Sequence, residues 1–146
     1  VVSLHPVLDE TTHHMIDKKR LDLMKENAIL VNASRGPVID EKALVSHLRK
    51  HPGFRVGLDV YENEPAITPG LKACSNAVIV PHIGSATRWT REGMAVLAAC
   101  NVAAILQGYP VLKDTEKIDM FLQENPPNAA PSIVNAKELN IPSVDL

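Results

Sequence analysis

Four short apolar runs rich in β-branched residues predict β-strands along the first part of the chain. They lie at 1–5, 28–32, 55–60 and 77–81. Apolar and polar residues do not alternate in these runs, a pattern typical of strands whose two faces are both buried in a parallel sheet.

Segments with apolar residues at helical spacing alternate with the predicted strands. One begins after Asp17 and another after Asp40, and both aspartates are suitable helix N-caps. The longest covers about 87–107 and is followed by a Gly-Tyr-Pro sequence that would end it. Because strands and helices alternate, we expect right-handed crossover connections and an open α/β sheet.

The composition narrows the class of protein. The chain has 146 residues, 45% of them hydrophobic, and a formal charge of -2 from 15 basic and 17 acidic residues. No basic run favours nucleic-acid binding, and no apolar stretch reaches the roughly 18 residues that a membrane span needs. The two cysteines, Cys74 and Cys100, have no metal or redox spacing and indicate a reducing compartment.

The start of the sequence suggests part of a longer chain, and its end differs in composition from the rest. The first residue is Val and lies inside the first predicted strand, while the segment after Gly108 is polar and contains many prolines. That tail has too little periodicity to predict a core of its own. We therefore expect a sheet-containing segment at 1–86, a connecting helix at 87–108 and a tail at 109–146.

The residues at the strand ends indicate where chemistry would occur, because ligands of open α/β sheets bind at the carboxyl ends of the strands. The predicted strands are followed by His-Pro at 5–6, Asn-Ala-Ser-Arg-Gly at 32–36, Asp-Val-Tyr-Glu-Asn-Glu-Pro at 59–65 and Pro-His-Ile-Gly-Ser at 81–85. An arginine, several acids and a histidine would meet at one edge.

Taken singly, these side chains are more often structural than functional, but their joint occurrence favours a site. Arg35 has a planar fork of donors that suits a substrate carboxylate. His82 can exchange a proton near neutral pH, and Glu64 nearby would favour its protonated form. A carboxylate clamp, a proton donor and an orienting acid together suit the reduction of an α-keto acid or the oxidation of a 2-hydroxy acid.

Three ordered motifs resemble the NAD-dependent D-2-hydroxyacid dehydrogenases. They are Asn-Ala-Ser-Arg-Gly-Pro-Val-Ile-Asp at 32–40, Gly-Leu-Asp-Val-Tyr-Glu-Asn-Glu-Pro at 57–65 and Pro-His-Ile-Gly-Ser-Ala-Thr at 81–87. The resemblance covers about 1–108, and Pro-Ser-Ile-Val-Asn-Ala at 131–136 is similar to the tail of plant-type hydroxypyruvate reductases. It implies the second half of a Rossmann-type cofactor domain, a long helix and a returning tail.

The resemblance also implies roles for individual residues. Arg35 would hold the substrate carboxylate, His82 would donate a proton to the keto oxygen, and Glu64 would pair with His82. Asp59 would contact the nicotinamide carboxamide. The other residues implied to lie close to the cofactor, besides Arg35 and His82, are His5, Pro6, Ala33, Ser34, Gly84 and Ser85. Glu62 has no role in the family pattern, and we expect it to be a surface acid.

The implied activity is NAD(P)H-dependent reduction of hydroxypyruvate, and of glyoxylate as a second substrate. NAD is the expected cofactor. NADP stays the alternative because this sequence lacks both the Gly-x-Gly-x-x-Gly turn and the residue that determines the preference for NAD or NADP. The other partners expected are a small 2-keto or 2-hydroxy acid and a second subunit in a homodimer. The rival hypotheses are a cofactor-sensing, corepressor-like binding protein and an inactive fragment.

Two other features of the sequence, its histidine pairs and its last residues, do not favour a metal site or a peroxisomal address. His47 and His51 have the i, i+4 spacing of metal ligands, but without a third ligand we expect no metal site, and we expect His13 and His14 to be a solvated pair. The last residues are Ser-Val-Asp-Leu, not the Ser-Lys-Leu peroxisomal address, so we expect the cytosol, with the peroxisome as the alternative implied by the resemblance.

Overall fold

A computed structural model describes residues 1–146 as two compact units, Val1–Gly84 and Ser85–Leu146. The first unit contains a four-stranded sheet in which every neighbouring pair is parallel and the strand order is β1-β2-β3-β4. Its strands are β1 (Val2–Leu4), β2 (Ile29–Asn32), β3 (Arg55–Leu58) and β4 (Ala77–Ile79). The predicted parallel α/β sheet is confirmed, although each strand is shorter than the apolar run that predicts it.

Two helices connect the strands of the first unit, and both begin where the sequence predicts. Helix α1 is Lys18–Asp22 and helix α2 is Glu41–Lys50. The Asp17 carboxylate accepts the backbone N–H of Arg20, and the Asp40 carboxylate accepts that of Ala43. Each cap satisfies a backbone donor that the first helical turn leaves without a partner.

The core of the first unit lies between α2 and the sheet. Leu30, Leu44 and Phe54 are fully buried, and burial of such a side chain contributes about 1.5–3 kcal/mol. At the amino ends of β3 and β4, the Asn76 amide donates to the carbonyl oxygens of Leu48, His51 and Phe54 at 3.1, 3.2 and 2.8 Å. This amide fastens the last turn of α2 to the sheet.

The second unit begins with helix α3 (Arg88–Gln107), whose N-cap is Thr87 and whose C-cap is Gly108 at φ 70°. After it come strand β5 (Val111–Leu112), a 3-10 helix (Thr115–Leu122) and strand β6 (Ser143–Val144), which pairs in parallel with β5. Glycine suits the left-handed conformation that ends α3.

The tail of the second unit has a packed interior, which its sequence does not predict. Phe121 is 1% exposed and packs with Leu112 and Ala129. Ala104 of α3 packs in a second cluster with Val111, Ala130 and Ala136. Periodicity does not reveal these clusters because four of their seven buried members are alanines, and the others lie in a two-residue strand and a 3-10 helix.

Apolar side chains on α3 are widely exposed within the second unit. Val102 is 62% and Leu106 82% exposed, and Ala104 is the one buried residue of the helix. None of the helices is both long and apolar enough to cross a lipid bilayer.

Candidate active site

The predicted strand-end residues gather at one edge of the first unit, because all four strands are parallel and their carboxyl ends share that edge. Segments 5–8, 33–36, 59–65 and 80–84 follow β1, β2, β3 and β4 there. The polar side chains in these segments form the candidate active site.

Glu64 and His82 form a hydrogen-bonded pair at this edge. His82 Nδ1 lies 2.8 Å from Glu64 Oε2, and Glu64 Oε1 accepts the backbone N–H of Tyr61 at 2.9 Å. The hydrogen bond to the His82 ring, followed by the one from Tyr61, lowers the pKa of the Glu64 carboxyl. The carboxylate therefore stays charged at neutral pH and fixes the ring, leaving Nε2 available to a ligand.

The backbone of His82 is strained. Its φ is 52°, in the left-handed region that a residue with a Cβ rarely adopts. Its N–H donates to the carbonyl oxygen of Val80 at 3.1 Å. Strain of this kind costs about 1–3 kcal/mol and is found mainly at functional sites. The turn thus holds the imidazole in one orientation at a cost in stability.

Asp59 holds the turn from the other side. Its Oδ1 accepts the backbone N–H of Ile83 at 2.6 Å and its Oδ2 that of Gly84 at 2.8 Å. A Cβ at position 84 would lie 2.9 Å from Asp59 Oδ2, so glycine is what permits this close approach. Both carboxylate oxygens of Asp59 therefore bind backbone N–H groups of the turn. Ser85, which follows Gly84, is exposed.

A cavity of about 540 Å³ adjoins the ends of β1 and β2. Its lining includes five of the predicted site residues, which are His5, Pro6, Ala33, Ser34 and Arg35. Arg35 is exposed, donates from Nη1 to the carbonyl oxygen of Ser34 at 2.7 Å and takes part in no salt bridge. Most of its guanidinium donors are therefore free to bind an anion.

Asn32, the last residue of β2, shapes the turn that carries Arg35. Its side chain is 1% exposed. The amide donates to the Arg35 carbonyl at 2.9 Å and accepts from the Ser34 backbone N–H and hydroxyl at 3.1 and 2.8 Å. The sequence does not predict a role for Asn32, although a polar residue at the end of an apolar run is a usable signal.

A second cavity, of about 250 Å³, lies beside the Glu64–His82 pair. Tyr61 lines it, and the Tyr61 hydroxyl donates to the carbonyl oxygen of Val80 at 2.6 Å. Burial raises the pKa of the Tyr61 phenol. The other lining side chains are apolar, those of Pro65, Ile67, Ile79, Val80 and Pro81. Through its hydrogen bond to Val80, Tyr61 connects the end of β4 to the loop that carries Glu64.

The structure corrects the expectation that Glu62 is a surface acid. Its side chain is 20% exposed, and its Oε1 lies 2.7 Å from His14 Nε2. The expectation of a solvated histidine pair is also wrong for His14, which is partly buried and stacked on His13. Contacts between residues this far apart in sequence leave no local signal.

His47 of α2 and His51, the residue that follows this helix, have structural contacts. His47 is buried, its Nδ1 lies 3.6 Å from Asp22 Oδ1, and its ring stacks with His51 and packs edge-on against Phe54. Burial lowers the pKa of His47. No three potential metal-ligating side chains of His, Cys, Asp or Glu come together in residues 1–146.

Comparisons with known proteins place these motifs among dehydrogenases. The family model described as "D-isomer specific 2-hydroxyacid dehydrogenase, NAD binding domain" matches residues 1–84. The chain is 61% identical over 144 residues to "Glycerate dehydrogenase HPR, peroxisomal" of Arabidopsis thaliana, which is 97% of this chain and 37% of that protein. It thus spans little more than a third of the length of this relative.

Solved structures give the same picture. The glyoxylate reductase of Paecilomyes thermophila superposes with a TM-score of 0.66 at 44% identity, over 70% of this chain and 31% of that one. An NADPH-dependent glyoxylate/hydroxypyruvate reductase of Sinorhizobium meliloti, in complex with NADP and malonate, gives a TM-score of 0.64 at 32% identity, over 71% of this chain and 33% of that one.

Proposed function

This chain belongs to the D-isomer specific 2-hydroxyacid dehydrogenase family, and from that premise we propose that it supplies catalytic residues to an enzyme. The proposed reaction is reduction of hydroxypyruvate, and of glyoxylate as a second substrate, to the D-2-hydroxy acid with NAD(P)H. The Glu64–His82 hydrogen bond on the strained turn carries the proposal. It is the arrangement that a proton donor to a keto oxygen requires.

His82 is the proposed proton donor. With Nδ1 held by Glu64, the ring can hold a proton at Nε2 and pass it to the keto oxygen as negative charge develops there. The nicotinamide cofactor, when bound, supplies the hydride to the keto carbon. The Glu64 carboxylate stabilises the ring while it is positively charged and keeps its orientation during the transfer.

Arg35 is the proposed ligand of the substrate carboxylate. Its guanidinium has no acidic partner in the first unit, and two of its N–H groups can bind both oxygens of a carboxylate. The Asn32 hydrogen bonds fix the turn from which it extends. Holding the carboxylate at Arg35 would orient the adjacent keto group toward His82.

The residues at this edge fit the nicotinamide half of a dinucleotide. The cavity at the ends of β1 and β2 is lined by the small side chains of Ala33 and Ser34, and Gly84 leaves space where a Cβ would meet Asp59. We propose that His5, Pro6, Ala33, Ser34, Asp59, Gly84 and Ser85 lie along the cofactor. We propose NAD as the cofactor and NADP as the alternative, a choice that KM values for NADH and NADPH would decide.

The test is steady-state reduction of hydroxypyruvate and glyoxylate by the full-length protein that carries these residues. We expect His82→Asn and Arg35→Gln to lose most of kcat/KM, about 100-fold or more. Glu10, an exposed carboxylate with no side-chain hydrogen bond, gives the control Glu10→Gln, which we expect to be unchanged. Full activity in His82→Asn would refute the proposed mechanism.

The same protein separates the rival functions. If it binds NADH tightly but reduces no 2-keto acid, the cofactor-sensing alternative is favoured. If it neither binds NADH nor turns over substrate, the chain is an inactive relative of the enzymes it resembles. Titration of NADH fluorescence before the kinetic assay distinguishes these two outcomes.

Assembly and compartment are further parts of the proposal. We propose a homodimer, because the exposed Val102 and Leu106 of α3 are the kind of apolar surface that subunit contacts bury. We propose the cytosol, since both cysteines are free as in reducing compartments, with the peroxisome named for the Arabidopsis relative as the alternative. Light scattering and a fluorescent fusion of the full-length protein test these two points.

A further inference from the structure

The loop that carries Glu64 is in direct contact with the turn that carries Arg35. A Cβ built on Gly36 would lie 1.9 Å from the carbonyl carbon and oxygen of Tyr61 and 2.5 Å from the nitrogen of Glu62. The peptide bond between residues 61 and 62 therefore rests against the Gly36 backbone. No side chain separates the two segments, so a shift of one moves the other.

Two glutamates lock this contact reciprocally. Glu41 Oε1 accepts the backbone N–H of Glu62 at 2.8 Å, and Glu62 Oε2 accepts the backbone N–H of Glu41 at 3.3 Å. Each side chain thus satisfies the other residue's backbone donor. Glu41 is the first residue of α2, so the loop is fastened to the amino end of that helix. A carboxylate there is favoured by the unpaired N–H groups of the first turn.

His14 completes the arrangement from a third segment. Its Nε2 lies 2.7 Å from Glu62 Oε1, and its backbone N–H donates to the carbonyl oxygen of Pro37 at 2.7 Å. His14 therefore contacts both the turn after Arg35 and the loop before Glu64. We call Glu41, Glu62 and His14 the brace.

The brace is a poor arrangement for stability alone. Glu41 is 1% exposed, and its Oε2 is buried without a hydrogen-bond partner. The carboxylate of Glu62 is bound to the backbone N–H of Glu41. Burying a carboxylate oxygen without a partner is unfavourable, and an apolar pair of similar volume would avoid that cost. The arrangement is therefore explained better by the position it fixes.

We propose that the brace sets the spacing between the substrate-carboxylate ligand Arg35 and the Glu64–His82 proton donor, so that Glu41 and Glu62 are positioning residues for the reaction. This inference rests on the proposed function. A 2-keto acid presents its carboxylate and its keto oxygen on adjacent carbons, so the two groups that bind them must keep a fixed separation. Loss of the brace would leave both groups present but misaligned.

The test uses four variants of the full-length protein. Glu62→Ala and Glu41→Ala remove the reciprocal hydrogen bonds. Glu62→Gln keeps an acceptor for the Glu41 N–H and can still bond to His14. Asn76→Ala is the matched control, since it removes three hydrogen bonds at the opposite end of the same sheet.

We expect Glu62→Ala and Glu41→Ala to lower kcat for hydroxypyruvate by about 10- to 100-fold, with a smaller change in KM for the cofactor. We expect Glu62→Gln to recover most of the loss. Asn76→Ala should lower the melting temperature while leaving kcat/KM unchanged. A purely structural role predicts instead that kcat follows the melting temperature across all four variants, and that result would overturn the proposal.

Hydrogen exchange of the Glu62 amide gives a readout that does not depend on turnover. We expect the exchange to be at least roughly tenfold faster in Glu41→Ala and unchanged in Asn76→Ala. Unchanged exchange in Glu41→Ala would overturn the brace itself. If the unmutated protein reduces no 2-keto acid while exchange responds as expected, the proposed function fails, and the positioning role fails with it. The contact between the Glu41 side chain and the Glu62 backbone would still be supported.

Discussion

Replacing Gly36 by alanine forces apart the two segments on which the candidate active site depends. The new methyl carbon would lie 1.9 Å from the Tyr61 carbonyl group, whereas ordinary contact begins at 3.4 Å. The gap must therefore widen by about 1.5 Å, the difference between these distances. The obstructing atoms belong to the backbone and cannot rotate away, so the loop or the turn has to move.

The expected losses follow from that displacement. Overpacking costs typically about 1–3 kcal/mol, and we expect the upper end because no side chain can yield. A shift of about 1 Å in a catalytic geometry can lower the rate about 100-fold. Gly36→Ala should therefore lose about 3 kcal/mol in the free energy of unfolding and about 100-fold in kcat/KM for hydroxypyruvate.

The assay pairs urea denaturation with steady-state kinetics, and Gly57→Ala is the control. A Cβ at position 57, inside β3, would meet only Val31 Cγ2 at 3.9 Å, an ordinary contact. We expect this control to remain within about 0.5 kcal/mol of the unmutated protein. If Gly36→Ala behaves like Gly57→Ala in both measurements, the inference that the two segments are in rigid contact is wrong.

Three other predictions concern separate parts of the chain. Asp59→Asn turns an amide N–H₂ toward the backbone N–H groups of Ile83 and Gly84, which the carboxylate now accepts. Because this weakens the turn that we propose lies along the cofactor, we expect NADH affinity, measured by fluorescence titration, to fall about tenfold. Burial lowers the pKa of His47 below its usual 6.5, so the unfolded chain takes up a proton before the folded one does. The free energy of unfolding should therefore decrease as pH falls below about 6.5, and urea melts at pH 7.5 and 5.5 should show a smaller decrease in His47→Gln. Phe121→Ala should destabilise the second unit by about 3–5 kcal/mol in thermal or urea melts, since the ring is 1% exposed.

The elements that the sequence predicts correctly are those specified by local chemistry. The carboxylates of Asp17 and Asp40 bond to backbone N–H groups three residues ahead, so the starts of α1 and α2 depend only on nearby residues. The left-handed Gly108 ends α3 in the same local way. The sheet was predictable for a related reason, since strands buried on both faces need continuous apolar runs.

The features that the sequence does not predict depend on contacts between distant residues. Glu62 bonds to Glu41 and His14, which are 21 and 48 positions away, and nothing in its own neighbourhood distinguishes it from a solvated acid. The interior of the second unit also joins segments far apart in sequence, because Ala104 of α3 packs with Ala130 and Ala136. The motif spacing identified Glu64 and His82 as candidates, but their 2.8 Å contact required the fold.

The two edges of the sheet differ in a way that supports the site without reference to any relative. At the amino edge, Asn76 satisfies three carbonyl groups with one amide. At the carboxyl edge, His82 is held in a left-handed conformation, an oxygen of Glu41 is buried without a partner, and the Arg35 guanidinium has no acid to pair with. The strained backbone of His82 and the buried, unpaired oxygen of Glu41 are unfavourable for folding, and strain costs about 1–3 kcal/mol where it occurs. The exposed Arg35 guanidinium is solvated and costs little, but it is free to bind an anion. Because unfavourable local features persist where they serve a function, their occurrence at the carboxyl edge supports the site that we propose there.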